Sequence, residues 1–329
     1  VVIVISAAVV GMLWYHLATA TTKDDVHFEA SPAVQTGATK VVERTALTAQ
    51  SVMVDTGLRA TAEEAMREAE ATSAEEARAA AIDSSAITVT GADRAKAASS
   101  LGRLMEAASA VETGGNTVAF EMVDLATGTC VSYDPDTSYY SASSIKGPYV
   151  IFLEQNVVGD DQGSMADAFE NAIEWSDNDA YTSLRQAYGD SGFAAWMTDA
   201  GVTLEGSQAY NHYVHYSAHQ LRLLWSACYP YLMSDEPGAA WCRKAFLQTL
   251  SSPISSVLGT EYTTWSKAGW FESEEGYGSE AVTCVGGIVR SAAGDYAVAV
   301  MSDLPAEFDP LEDVISELDE VHTNLAATS

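Results

Sequence analysis

The chain has 329 residues, 47% of them hydrophobic, which suffices for one sizeable core plus an appendage. Sixteen Lys and Arg against 46 Asp and Glu leave a formal net charge of −30. That balance argues against a nucleic-acid partner and against charge-driven docking on anionic lipid.

Residues 1–14 are almost wholly apolar, and with Tyr15–Ala20 the stretch is long enough to span a bilayer. The chain opens without Met or a basic flank, so its true start is expected upstream. Ala18-Thr19-Ala20 resembles a signal-peptidase site, which leaves a cleaved signal and a permanent anchor both open. The expectation is a membrane-anchored or secreted protein whose bulk lies outside the cytoplasmic membrane. Residues 21–92 are polar and then Ala/Glu-rich. Thr61-Ala62-Glu63-Glu64 and Ser73-Ala74-Glu75-Glu76 read as capping boxes opening two short helices with few large apolar residues, a stalk.

The packed domain is expected over 93–325. Leu101, Leu104, Met105 and Val111 recur at helical spacing. Thr117–Leu125 and Thr129–Tyr133 alternate as strands around Ala126-Thr127-Gly128, a hairpin. A mostly helical stretch follows from Ser143 to about Ser251. Strand character returns at Glu261–Lys267, Ala281–Arg290 and Tyr296–Ser302, and Leu311, Val314, Ile315, Leu318 and Val321 form a closing amphipathic helix. Strands at both ends with helices between imply an α+β domain, an α/β/α sandwich. Its antiparallel sheet carries terminal helices on one face and an all-helical insert beside the other. The four cysteines show no Cys-x-x-Cys spacing, and in an exported protein Cys228 and Cys242, on two helices joined by a short link, are the expected disulfide.

Three short texts occur in order: Ser143-Ser144-Ile145-Lys146, Ser176-Asp177-Asn178 and Lys267-Ala268-Gly269. A serine hydroxyl needs a base within hydrogen-bond reach, and a lysine three residues on lies on the same helical face. Lys146 serves as that base only when partly neutral, which burial and a second cation, Lys267, would favour. Ser176 is suited to shuttling a proton, Asn178 to bonding both Lys146 and a substrate amide, and Asp177 to bracing the turn. Lys267 can hold a substrate carboxylate at the end of an edge-like strand, where Gly269 admits close backbone approach.

The ordered motifs, with Asp124-Leu125-Ala126-Thr127-Gly128 and Ser141-Ala142-Ser143, resemble those of class A β-lactamases and penicillin-binding proteins over about 93–325. The resemblance implies a serine acyl-enzyme with Ser143, Lys146 and Ser176 catalytic, and Asn178, Lys267, Gly269 and Trp270 binding substrate. The N–H groups of Ser143 and Trp270 would form its oxyanion hole. Its substrates would be β-lactams or D-Ala-D-Ala-type amides of the cell wall, with no metal or cofactor.

The sequence departs from that pattern in several places. Ala268 stands where the family has Thr or Ser. Only 33 positions separate Ser143 from Ser176, fewer than usual. The Glu-x-x-Leu-Asn text of the family's deacylating loop does not occur. Glu205 is the one acid between 200 and 234 and comes too early, while His212, His215 and His219 occupy the region of that loop. A zinc site there is disfavoured for want of an accompanying acid or cysteine; the three read as ordinary helix-surface or cleft histidines, with His212 or His215 standing in as a base for water as the alternative. Acylation machinery therefore reads as present and deacylation machinery as absent. Two rivals stand beside a slow β-lactamase-like hydrolase: a D,D-peptidase acting on peptidoglycan stem peptides, and a non-catalytic envelope-binding module.

Overall fold

The computed structural model describes residues 60–159, 161–273 and 280–327. The chain divides into two compact units, Val1–Arg78 and Ala79–Ser329. In the first, residues 60–78 are helical and mostly exposed, in keeping with their lack of large apolar side chains. The helix does not break at Ser73, so the second expected capping box opens nothing. The apolar stretch 1–20 lies outside the described residues, among which no helix is long and apolar enough to cross a membrane.

The second unit begins ahead of the expected boundary at Asp93. Strand β1 (Thr88–Thr90) already belongs to its sheet, pairing antiparallel with β3 (Cys130–Tyr133). With β2 (Val118–Asp124), β6 (Thr263–Phe271), β7 (Val282–Ser291) and β8 (Gly294–Ser302), they form an antiparallel sheet in the order β1-β3-β2-β8-β7-β6. The expected hairpin between β2 and β3 is present. Asp124 fixes its turn by accepting from the N–H groups of Ala126 (3.0 Å) and Thr127 (2.7 Å).

Helices α1 (Ala98–Thr113) and α9 (Asp309–Ala326) lie together and cover one face, burying Leu101, Leu104, Leu311, Val314 and Leu318 against Phe120, Val285 and Val300. Each fully buried aliphatic or aromatic side chain contributes roughly 1.5–3 kcal/mol, so this layer anchors the first and last helices of the domain to the sheet. The other face receives the helical insert. It comprises α2 (Lys146–Leu153), α3 (Ala166–Glu174), α4 (Asn178–Tyr188), α5 (Ser191–Asp199), α6 (Ala218–Leu232) and α7 (Pro237–Phe246), whereas α8 (Pro253–Leu258) packs with α9 on the first face through Ile254 and Leu258. Helix α6 crosses β2, β7 and β8, and its Trp225 lies directly on Gly286, where a Cβ would come within 2.6 Å of the indole. A small two-stranded sheet, which the sequence did not announce, pairs β4 (Ser138–Tyr140), just ahead of the helical stretch, with β5 (His215–Ser217) inside it.

The expected Cys228–Cys242 disulfide is not formed: all four cysteines are free. Cys228 on α6 and Cys242 on α7 are fully buried, and burial raises both thiols well above their ordinary pKa, leaving them inert thiols packed between two helices. Cys284 is likewise buried on β7, its thiol pushed up to about 12 chiefly by burial. Native protein at neutral pH should therefore resist iodoacetamide at Cys228, Cys242 and Cys284, and all four cysteines should label in guanidinium. Peptide mapping checks this, and a 228–242 pair that stays unlabelled after denaturation would mean a bond has formed.

Candidate active site

The turn that carries Ser143 is a 3₁₀ helix (Ala142–Ile145) running directly into α2 at Lys146. With three residues per turn, positions i and i+3 eclipse, so Lys146 stacks over Ser143 more closely than an α-helix would allow. The Lys146 N–H donates to the Ser143 carbonyl. Ala142, just before the nucleophile candidate, has φ of +40°, a left-handed conformation that only the surrounding packing sustains in a residue with a Cβ. Ser141 ties the turn to the insert: its N–H donates to the Val214 carbonyl (2.9 Å), and the Val214 N–H donates to its Oγ (3.1 Å). Behind it, Ser144 bonds Ser141 O and the Tyr216 hydroxyl. Ser143 itself is half-buried, and among the described residues none hydrogen-bonds its Oγ.

Lys146 is completely buried. Its Nζ donates to Ser176 O (2.6 Å), Asn178 Oδ1 (2.7 Å) and, more weakly, Asp177 O (3.4 Å), and it lies 5.6 Å from the Tyr181 ring centroid. Burial draws its pKa down to about 8, with the Asp177 charge opposing. Lys267, also buried, donates to Ser176 Oγ (3.0 Å), and burial followed by the Lys146 charge draws it down to about 7. The two ammonium groups thus converge on one serine, Lys146 on its carbonyl and Lys267 on its hydroxyl. Ser176 meets both because its backbone is left-handed, with φ of +57°. Asp177 then caps α4 by accepting from Ala180 N–H (2.7 Å), which makes it the brace expected of it.

Lys267 does not close its strand. It sits at the middle of β6, an edge strand that runs on through Gly269 and Trp270 to Phe271. Alternation turns Lys267, Gly269 and Phe271 toward the insert and Ala268 toward the terminal helices, where its methyl is fully buried in the apolar layer. The strand therefore presents no side-chain hydroxyl to the cleft at this point. Gly269 packs on the nucleophile turn so tightly that a Cβ would come within 2.6 Å of Ser141 O and 2.8 Å of Ser143 N. This close approach brings the backbone of β6 alongside the Ser143 N–H.

The structure brings Ser143, Lys146, Ser176, Asn178, Lys267 and Gly269 together, with Trp270 next in line on the strand. It separates the three histidines. His219 bonds buried Glu121 of β2 (2.9 Å) beside Arg222, an acid that sequence proximity could not reveal. His215 on β5 is exposed against the Tyr140 ring. His212 is half-buried beside the Tyr181 ring, its pKa lowered by burial and then by Arg185. Glu205 is exposed, with no side-chain bond to the cluster. Sequence reasoning missed Tyr213, whose hydroxyl donates to Asn178 Oδ1 (2.9 Å); the only signal was a run of aromatic residues where the family has its deacylating loop.

No protein-family model and no curated protein matches the sequence. Among solved structures, the fold is similar to a β-lactamase from Chitinophaga pinensis, with 16% identity over 69% of this chain and 99% of that one and a TM-score of 0.54. It is similar to a β-lactamase from Sphaerobacter thermophilus at 16% identity, 67% and 94% coverage and a TM-score of 0.52. A class A β-lactamase from Clostridium kluyveri matches at 16% identity, 65% and 96% coverage and a TM-score of 0.52. The chain has a β-lactamase-like fold.

Because Lys146 contributes to the depression of Lys267, Lys146→Met should raise the Lys267 pKa above about 7 while leaving it below the ordinary 10.5, burial being the larger cause. Carbon-13 NMR titration of the lysine ε-methylenes reads this directly. An unmoved Lys267 would show that the two charges do not feel each other.

Proposed function

We propose that the protein is a serine acyl-enzyme that opens β-lactams or cleaves D-Ala-D-Ala-type amides at Ser143, outside the cytoplasmic membrane, and releases the product slowly. The observation that carries this reading is the convergence of Lys146 and Lys267 on Ser176, beside a serine whose N–H is packed against the Gly269 strand, in a β-lactamase-like fold.

Neutral Lys146 takes the proton as Ser143 Oγ attacks the substrate carbonyl carbon. The oxyanion forms against the N–H groups of Ser143 and Trp270. As the C–N bond breaks, the proton is delivered from Lys146 to the leaving nitrogen by way of Ser176 Oγ, which must first turn from its bond with Lys267 to face Lys146, and the acyl group stays on Ser143 as an ester. A substrate carboxylate settling on Lys267 would hold that lysine in its charged form, and the repulsion between the two cations would then favour neutral Lys146. Substrate binding itself thus prepares the base.

Hydrolysis of the ester needs a second base. Among the described residues, no Asp or Glu side chain bonds Ser143, Lys146, Ser176 or Lys267, although a positioned general base is worth roughly 10²–10⁴-fold. That gap supports a persistent acyl-enzyme. It equally suits a penicillin-binding D,D-peptidase whose physiological amide is a stem peptide, with His212 or His215 as the residual base. The same folded domain could instead serve as a non-catalytic envelope-binding module, a reading that Ala268 favours and the buried lysine pair disfavours.

Intact-protein mass spectrometry with a penicillin should show the full adduct mass on the wild type and none on Ser143→Ala; equal adducts on both would remove Ser143 from the role. In the same reaction, β-lactam opening should give a burst near one equivalent and then a slow phase, whereas rapid steady hydrolysis without adduct would mean a water-activating base is at work. The acylation rate should climb as pH rises through about 8, the pKa of Lys146. Lys146→Arg, which cannot give up its proton, should acylate roughly 10²-fold or more slowly. A flat pH profile would place the base elsewhere.

A further inference from the structure

Lys146 and Lys267 are both buried, yet their amines are bonded differently. Lys146 Nζ has three oxygen acceptors: Ser176 O at 2.6 Å, Asn178 Oδ1 at 2.7 Å and Asp177 O at 3.4 Å. Three acceptors match the three hydrogens of an ammonium group, and the two short bonds are as short as charge-assisted ones. Lys267 Nζ has two acceptors among the described residues, Ser176 Oγ at 3.0 Å and the Ala268 carbonyl at 3.5 Å. A neutral amine has two hydrogens to give, so both bonds are met with the nitrogen lone pair left over. Bond count and bond length together put the resting proton on Lys146 and leave Lys267 uncharged.

The surroundings uphold that division. Asp177 faces Lys146 and supports its charge. The groups that face Lys267 are the Lys146 ammonium, which repels a second charge, and the Cys284 thiol, which stays neutral with its pKa pushed up to about 12. The stem of Lys267 starts in close contact with α2, since a Cβ on Gly147 would come within 3.0 Å of Lys267 Cβ. Ser176, the side chain bonded to its Nζ, is half-buried, so the amine lies one side chain beneath the surface. A desolvated lysine amine beside a second cation is a nucleophile toward carbonyl carbon.

We infer that Lys267 is a carbonyl-reactive site, whose resting lone pair adds to small aldehydes that reach it past Ser176, with Lys146 as the neighbouring acid. The N–C bond forms as the C=O π bond opens, and a proton moves from nitrogen to oxygen to give a carbinolamine. Lys146 then protonates the hydroxyl, water leaves, and a cationic imine stands on Lys267 beside a neutral Lys146. Water reverses the adduct. Aldehyde addition needs no acylation of Ser143, so the site stands independently of the acyl-enzyme reading.

The test is reductive trapping on the whole chain. Wild-type protein receives acetaldehyde and cyanoborohydride briefly at pH 7, and peptide mapping then locates ethylated lysine. A lysine in water is neutral to only about one part in 10³ at this pH, so Lys267 should be ethylated roughly tenfold or more ahead of the exposed Lys96 and Lys244. Above a pH of about 7, Lys267 gains little further neutral amine whereas exposed lysines continue to gain it. The Lys267 to Lys96 ratio, read within one tube, should therefore fall roughly tenfold per pH unit between about 8 and 10. In guanidinium the preference for Lys267 should vanish. Ethylation of Lys267 no faster than of the exposed lysines, a ratio indifferent to pH, a preference that survives guanidinium, or ethylation first at Lys146 would each overturn the assignment.

Discussion

Two lysine side chains buried within reach of one serine are the constraint around which the rest of the site is arranged. An ammonium group taken out of water costs several kcal/mol unless its hydrogens find partners. Here the partners bonded to Nζ are neutral oxygens: the carbonyls of Ser176 and Asp177 and the amide of Asn178 for Lys146, the hydroxyl of Ser176 and, at 3.5 Å, the Ala268 carbonyl for Lys267. Neutral acceptors solvate the charge without cancelling it, so both groups hold their protons weakly. A carboxylate bonded to Lys146 itself would pin its proton there and oppose the role proposed for it. The left-handed turn at Ser176, the cap at Asp177 and the glycines at 147 and 269 all serve this arrangement. A Cβ at Gly147 would lie 3.0 Å from Lys267 Cβ, and one at Gly269 would displace the nucleophile turn.

The sheet faces assign the labour along β6. Residues turned toward the insert reach the cleft, and those turned away, such as Ala268, pack under the terminal helices. The replaced hydroxyl is thus a change on the core side of the strand, where a methyl fits the apolar layer at no polar cost. Any carboxylate held at this edge would depend on the Lys267 charge and on main-chain donors, a simpler recognition than a hydroxyl would add.

Much of the fold was legible because its signals are local. Alternation in β2 and β3, the strand-forming runs of β7 and β8, the helical spacing in α1 and α9, and the Asp124 turn each depend on neighbours in sequence. The ordered serine and lysine texts pointed to the candidate site for the same reason. What the sequence withheld depends on distance along the chain. Glu121 meets His219 across 98 positions, and the Tyr213 hydroxyl meets Asn178 across 35. The 3₁₀ turn at Ser143 and the left-handed backbone at Ala142 and Ser176 are imposed by packing and oppose the local preference of those residues. The thiols of Cys228 and Cys242 were judged from compartment and spacing, whereas the fold buries them unbonded in separate helices.

The two ends of the domain share the sheet: β2 hydrogen-bonds along its whole length with β8, pairing Val118 with Ser302, while the helical insert is spun out between them. Such pairing is entropically slow to close, since a long loop must be ordered before the first strand contact rewards it. Ser143 and Lys146 emerge early in synthesis, Lys267 late, and β7, the one strand that pairs with β6, later still. A chain still in transit therefore carries Ser143 without the second amine and without the edge strand that lies against it. On the proposed reading, reactivity is in this way deferred to the last stage of folding, and a partly made domain meets its surroundings chemically mute.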